Sequence, residues 1–281
     1  MGIGSRLGAN LKEGLRPIVD LVYPPRCPLC GDAIADQGGL CVECWAELEV
    51  PGEPACKSCN RPMGSDGTKR DTECTPCQLD PPRHSGIHAA TLYDDASRKL
   101  ILTFKHGGKI ALSRLLGRLM AARLPDPVQG KEPLLIPVPL HRLRLWERGY
   151  NQAALLAREL EKRGKGTLFV DALVRIRRTP SLGGLGREER ERALRGAIAA
   201  RASRIHRLKG RDVVLVDDVL TSGATSDACV AALLEAGAAS VRIACFARVV
   251  SGVGGREPSA IFAKTHPTNE TPEVVKTPGA T

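Results

Sequence analysis

The residues best suited to chemistry lie together in Val213-Val-Leu-Val-Asp217-Asp218-Val-Leu-Thr221-Ser222-Gly223-Ala224-Thr225. Four apolar residues read as a buried strand, and they deliver two carboxylates to its C-terminal end, where open α/β sheets bind ligands. Small and hydroxylic residues follow. Gly223 permits close backbone approach before a helix expected over 226–236, which Gly237 would close. Backbone N–H groups in such a turn, with the positive end of the helix, make a seat for an anion. Thr221, Ser222 and Thr225 add hydroxyl donors. Two carboxylates beside an anion seat are unfavourable unless they serve ligand hydroxyls or a metal ion. A ribose 5-phosphate meets both needs, with hydroxyls for Asp217 and Asp218 and a phosphate for the turn. Neither a Gly-x-x-x-x-Gly-Lys-Ser/Thr loop nor a Gly-x-Gly-x-x-Gly opening the first strand is present.

The second chemistry is that of sulfur. Eight of the 10 cysteines form four Cys-x-x-Cys pairs: Cys27/Cys30, Cys41/Cys44, Cys56/Cys59 and Cys74/Cys77. A two-residue gap lets both thiolates face one tetrahedral ion, and four sulfurs complete a structural zinc site, so two zinc ions are expected. A segment of about fifty residues with few large apolar side chains needs such staples to fold. Disulfides are disfavoured in a reducing compartment, and a redox pair needs only one Cys-x-x-Cys. Sequential pairing gives two ribbons and interleaved pairing a cross-braced module. Spacing leaves both open, and the ribbons are the preferred reading. Cys229 and Cys245 read as small buried hydrophobes.

The elements that must position these groups alternate. Strands are expected at 89–93, 134–138, 213–216 and 241–247, and helices at 96–104, 110–124, 151–163 (with Asn151 as N-cap) and 226–236. That alternation predicts an α/β domain with a parallel sheet. Pro81-Pro82 marks a boundary between a cysteine module at 26–80 and the α/β domain at 84–250. Ile3, Leu7, Leu11, Leu15, Ile18 and Val22 recur at helical spacing and predict an amphipathic helix within 1–25. Residues 251–281, rich in Gly, Pro, Thr and Glu, are expected to be a disordered tail. No apolar run is long enough to span a membrane, and no secretory h-region opens the chain, so the expected compartment is the cytoplasm.

Charge is uneven. The net value is +10, yet residues 1–80 hold 8 basic and 12 acidic side chains, leaving 33 basic and 19 acidic for the rest. Residues 141–210 alone carry 18 basic and 7 acidic side chains, a bias that suits a polyanionic partner. Aromatic content of 3% argues against a base-stacking platform of the RNA-binding kind.

Taken together, these motifs resemble the ComF (competence protein F) family, in which a Cys-x-x-Cys module precedes a type I phosphoribosyltransferase motif. Four other stretches carry the resemblance: Leu100-Ile-Leu-Thr-Phe-Lys105-His106, Ile136-Pro-Val-Pro-Leu-His141-Arg142, Arg148-Gly149-Tyr150-Asn151-Gln152, and residues 175–196. They span 27–250. The resemblance implies a type I phosphoribosyltransferase-like parallel-sheet domain behind a double zinc ribbon, with phosphoribosyl pyrophosphate and Mg²⁺ as ligands. It places Asp217 and Asp218 on the ribose hydroxyls, and Thr221, Ser222, Gly223, Ala224 and Thr225 on the 5-phosphate. The loop 139–144, including His141 and Arg142, would face pyrophosphate, with Arg148, Asn151 and Gln152 nearby. Arg175, Arg177 and the basic stretch to Arg195 would form a mobile lid, so that Asp217, Asp218, Arg148 and Arg177 are the candidate catalytic residues. The chain departs from the family pattern at Ser181-Leu182, where Gln is common, and at Ala193, where Asn is common. The family link to DNA uptake and natural transformation gives two expectations. One is a phosphoribosyltransferase that displaces pyrophosphate from C1 of the ribose. The other is a non-catalytic, zinc-containing module that binds single-stranded DNA or a competence protein.

Overall fold

The computed structural model describes residues 23–63, 72–106, 109–177, 189, 192 and 196–250. The amphipathic helix expected within 1–25 and the tail expected at 251–281 lie almost wholly outside the described residues, as does most of the lid between Arg177 and Arg195.

Five strands form one parallel sheet: β1 (Ile87–Leu92), β2 (Leu134–Pro137), β3 (Thr167–Leu168), β6 (Asp212–Leu220) and β7 (Ser240–Arg248), in the order β1-β7-β6-β2-β3. A separate antiparallel pair joins β4 (Leu173–Arg175) to β5 (Ile198–Ala200). The helices are α1 (Val42–Ala46), α2 (Thr75–Leu79), α3 (Asp95–His106), α4 (Leu112–Arg123), α5 (Arg142–Arg148), α6 (Gln152–Lys162), α7 (Ile205–Leu208) and α8 (Ala224–Glu235).

Why residues 213–216 of β6 are all apolar follows from their place in the sheet. Side chains alternate across a strand, so Val213 and Leu215 enter one core cluster while Val214 and Val216 enter the other. The first cluster is closed by α8 and the second by α3, α4 and α6, through residues such as Leu100, Phe104, Leu116 and Leu156. Each of these fully buried side chains contributes about 1.5–3 kcal/mol. Helices α4 and α6 approach closely because Gly117 lies against Glu159; a Cβ there would sit 2.5 Å from the Glu159 Cβ.

Connectivity then locates the site. From β2 the chain moves outward to β3, whereas from β6 it moves the opposite way to β7. Connections diverge between β2 and β6, and a crevice at the carboxyl ends of such a strand pair is where open α/β sheets bind ligands.

The cysteine region packs directly on this domain. Cys56, Cys59, Cys74 and Cys77 belong to the same cluster as Ile87, Leu220, Val230 and Ile243, while Cys27, Leu29 and Cys44 join the cluster of Leu100 and Phe104. Lys99 donates to the Leu29 carbonyl, Arg123 to the Pro51 carbonyl at 2.8 Å, and the Thr91 hydroxyl to the Glu49 carbonyl at 2.8 Å.

Three features differ from the sequence reading. The strand bearing the acids does not end at 216: its ladder continues to Leu220, so Asp217 lies opposite Cys245 within the sheet. The apolar run stopped, but backbone pairing with β7 did not. The expected loop over 139–144 is cut short by α5, whose N-cap is His141. Strand β3 and the β4/β5 pair, of two and three residues each, are too short to leave a periodicity.

Candidate phosphoribosyl site and zinc ribbons

Asp217 and Asp218 project to opposite faces of β6, as neighbours in a strand must. On one side Lys105, from the last turn of α3, meets Asp218 Oδ2 at 3.0 Å, with both side chains largely buried. Asp217 keeps part of its surface open at the crevice but is surrounded by protein. Burial first, and then the charge of Asp218, push its carboxyl up to about 7, against the lowering pull of the Asp218 N–H, Lys105 and Arg175. The Asp218 N–H donates to Asp217 Oδ1 at 2.8 Å. One carboxylate therefore has its own cation, while the other is held where charge is costly.

Directly beyond the acids, Thr221, Ser222 and Gly223 form the turn into α8. Gly223 is its N-cap, in the left-handed region at φ 84°, where a side chain would be strained and a Cβ would lie 3.2 Å from Asp227 Oδ2. Ala224 is buried and Thr225 half-buried in the first turn of α8. The N-cap residue itself offers no side-chain bond to the first turn of α8, and backbone N–H groups at a helix start of this kind suit an anion.

The opposite wall comes from β2. The Val138 N–H donates to the Val216 carbonyl at 2.9 Å, which sets the loop through His141 beside the acids. His141 is half-buried and its Nδ1 accepts from the Leu143 N–H at 3.3 Å; Arg142 is exposed at the start of α5. The stretch from Arg148 to Gln152 is a joint. Gly149 ends α5 in the left-handed region, and the Tyr150 hydroxyl donates to the Phe104 carbonyl one residue before Lys105. Asn151 caps α6, accepting from the Ala153 and Ala154 N–H groups, and donates to the Val138 carbonyl at 3.1 Å. Arg148 is half-buried and donates to Gln152 Oε1 at 3.3 Å. Arg177 is exposed just after β4.

The structure thus brings Asp217, Asp218 and the loop 221–225 together at the end of β6, and places His141 after the neighbouring strand β2 and Arg148 at the far end of α5. Lys105 belongs to the stretch 100–106; its pairing with Asp218 leaves no signal in the sequence beyond the need of a buried acid for a cation.

The cysteines settle into two groups in sequential order. Cys27, Cys30, Cys41 and Cys44 form one, and Cys56, Cys59, Cys74 and Cys77 the other, with all sulfurs of a group within 4.8 Å of one another. Sγ–Sγ distances of 3.6 Å (Cys30–Cys41) and 3.8 Å (Cys59–Cys74) match the roughly 3.8 Å edge of a tetrahedron around zinc with Zn–S bonds of about 2.3 Å. The interleaved alternative is excluded by this grouping.

A parallel sheet with paired acids and a glycine-containing turn at its switch point, carrying two four-cysteine ribbons, defines a phosphoribosyltransferase-like fold with a double zinc ribbon. Comparison agrees: the Double zinc ribbon domain family matches residues 18–78 and the Phosphoribosyl transferase domain family matches residues 113–275. The chain is 31% identical over 205 residues to Competence protein F of Haemophilus influenzae, covering 71% of this chain and 86% of the relative. It is 30% identical over 242 residues to DNA utilization protein YhgH of Escherichia coli K12, covering 82% and 100%. It is 25% identical over 205 residues to Competence protein ComFC of Bacillus subtilis, covering 72% and 80%. The chain belongs to the competence protein F family. Among the described residues no helix is long and apolar enough to cross a membrane.

Proposed function

We propose that this protein binds phosphoribosyl pyrophosphate with Mg²⁺ at the β2/β6 crevice, and that this site serves the handling of incoming DNA. The observation that carries the first part is the placing of Asp217 and Asp218 directly before a helix N-terminus whose N-cap is Gly223. The 5-phosphate takes the N–H groups of 221–225 and the ribose hydroxyls donate to the two carboxylates. Pyrophosphate faces His141, Arg142 and Arg148. The carboxylates are hard oxygen ligands that would hold Mg²⁺, which when bound would supply charge neutralisation for a pyrophosphate leaving group. Arg148 and Arg177 balance the charge of the leaving pyrophosphate if transfer to an acceptor takes place.

Gly223→Ala tests the phosphate seat. Forcing a Cβ into the left-handed region costs roughly 1–2 kcal/mol and crowds Asp227. Affinity for ribose 5-phosphate, read by calorimetry, is expected to fall at least fivefold. Unchanged affinity contradicts a phosphate on this turn.

The DNA reading rests on the names of the relatives above and on α5. Trp146 is 86% exposed, between Arg142 and Arg148 on the same short helix. An exposed indole one helical turn from the exposed Arg142 suits a base stacked beside its phosphate. Single-stranded DNA binding is expected to weaken steeply with salt, and Trp146→Ala to weaken it at least fivefold. Binding indifferent to both salt and Trp146 contradicts this part.

A further inference from the structure

The amino end of the sheet carries a basic corner that the crevice does not use. Between β5 and β6 the chain runs through Arg201, Arg204, His206, Arg207, Lys209 and Arg211, and meets no acidic residue until Asp212. Arg211 stands just before β6, so the length of that strand, about 30 Å for its nine residues, separates the corner from the turn at 221–223.

Three of its exposed guanidinium groups are held in place by uncharged partners. Arg201 donates through Nε to the Asp171 carbonyl at 3.2 Å, and Arg211 donates to the Glu132 carbonyl at 2.9 Å. The Arg207 guanidinium lies 4.4 Å from the centre of the buried Phe169 ring. Arg204 is different, because two hydrogen bonds of 3.0 and 2.7 Å give it the Asp171 carboxylate. Those bonds first, with the charges of Arg204 and Arg201, hold the Asp171 carboxyl below its ordinary range. Counted in full, Lys131, Arg201, Arg204, Arg207, Lys209 and Arg211 stand against Glu132, Asp171 and Asp212, and Asp212 already accepts from the Ser240 hydroxyl. Cations thus outnumber carboxylates two to one. A merely solvated basic face leaves its long side chains free, whereas these are fixed before any partner arrives, so less rotamer entropy is lost on binding.

We propose that this corner binds the phosphate backbone of a nucleic acid strand, with Arg201, Arg207 and Arg211 as its contacts. The fork of a guanidinium group matches two oxygens of one phosphate. Segment 201–212 exposes no large apolar side chain for a membrane or a protein to cover, although Val170 lies half exposed at its rim. Contacts of this kind position a strand and carry no sequence information. The corner goes beyond the Trp146 contact proposed above and stands on other residues at the other end of β6.

The test titrates the zinc-loaded full chain with a labelled oligothymidylate of roughly thirty nucleotides, read by fluorescence anisotropy across a salt series. Arg201→Gln/Arg207→Gln/Arg211→Gln is expected to bind at least tenfold more weakly at low salt. Its slope of log affinity against log salt is expected to fall by about 2, since each phosphate contact on a single strand contributes about 0.7. The same loss is expected in a Trp146→Ala background, which separates this corner from the contact on α5. Arg114→Gln/Arg118→Gln/Arg158→Gln removes equal charge from exposed positions on α4 and α6, and is expected to change affinity less than twofold. Should loss of the Phe169 contact prevent folding, Arg201→Gln/Arg211→Gln decides, with an expected loss of at least fivefold and a slope change of about 1.4. The proposal is overturned if a folded corner variant keeps the wild-type affinity and slope. It is overturned equally if the variant on α4 and α6 loses as much, which would mean net charge alone. Loss of binding to phosphatidylserine vesicles with the oligonucleotide unaffected would also overturn it, and would mark a membrane surface instead.

Discussion

Loss of zinc from the second ribbon is expected to destabilise the entire described domain, whereas loss from the first is expected to be felt mainly locally. The four sulfurs of the second ribbon are all buried, Cys56 completely, and they share a core cluster with strands β1, β6 and β7. Arg248 ties the Cys59 carbonyl to the end of β7. In the first ribbon Cys30 is exposed and Cys41 only half-buried. A structural zinc contributes on the order of 10 kcal/mol in isolated fingers, and in a larger domain some of that is recovered by residual packing. Cys59→Ser is therefore expected to remove about 5 kcal/mol, a fall of roughly 10–20 °C in Tm for a domain this size. Cys30→Ser is expected to cost less than half of that. Each variant should also bind one zinc fewer by elemental analysis. Equal melting of the two variants would contradict the unequal embedding of the ribbons.

The second large effect concerns Asp217 and pH. Its folded carboxyl is raised to about 7 from an ordinary 3.8. A raised carboxyl means that the folded chain holds a proton which the unfolded chain has lost. The contribution of Asp217 to stability is thus most favourable below pH 4, falls as pH climbs from about 4 to 7, and its penalty is complete above that. The full penalty is on the order of 4 kcal/mol. Asp217→Asn keeps the shape and removes the charge, so at pH 8 it is expected to melt several degrees above the wild type, with the advantage vanishing near pH 4. The same substitution weakens ligand binding, because the amide cannot accept from a ribose hydroxyl as a carboxylate does. A stabilised but poorly binding variant marks a residue kept for function at a cost to the fold. If Asp217→Asn melts at or below the wild type at pH 8, the carboxylate is not strained as described.

How much was legible beforehand depends on how each feature is encoded. The β6 motif was readable because a buried strand, paired acids and a Gly-containing turn are contiguous, so chain order alone fixes their geometry. The ribbons were readable as ligands but not as pairs, since connectivity depends on how two knuckles fold toward each other. Asn151 announced its helix because a cap acts within three residues. Long-range partnerships left no local trace. Lys105 reaches Asp218 across more than a hundred residues, and Arg248 reaches Cys59 across nearly two hundred. Helix α5 hid itself by presenting Leu143, Leu145 and Trp146 to solvent, so it lacks the apolar stripe by which a docked helix is recognised. The extension of β6 past Val216 was hidden because charged residues at a sheet's ligand end look like the strand's end.

The most direct measurement is a calorimetric titration of the zinc-loaded protein with phosphoribosyl pyrophosphate and Mg²⁺, beside Asp217→Asn/Asp218→Asn. Saturable binding that weakens at least tenfold in the variant, a loss of about 1.4 kcal/mol, is the predicted result. Absence of binding in the wild type, or equal binding in both proteins, would contradict the assignment of the paired acids and the turn at 221–225 to a phosphoribosyl ligand.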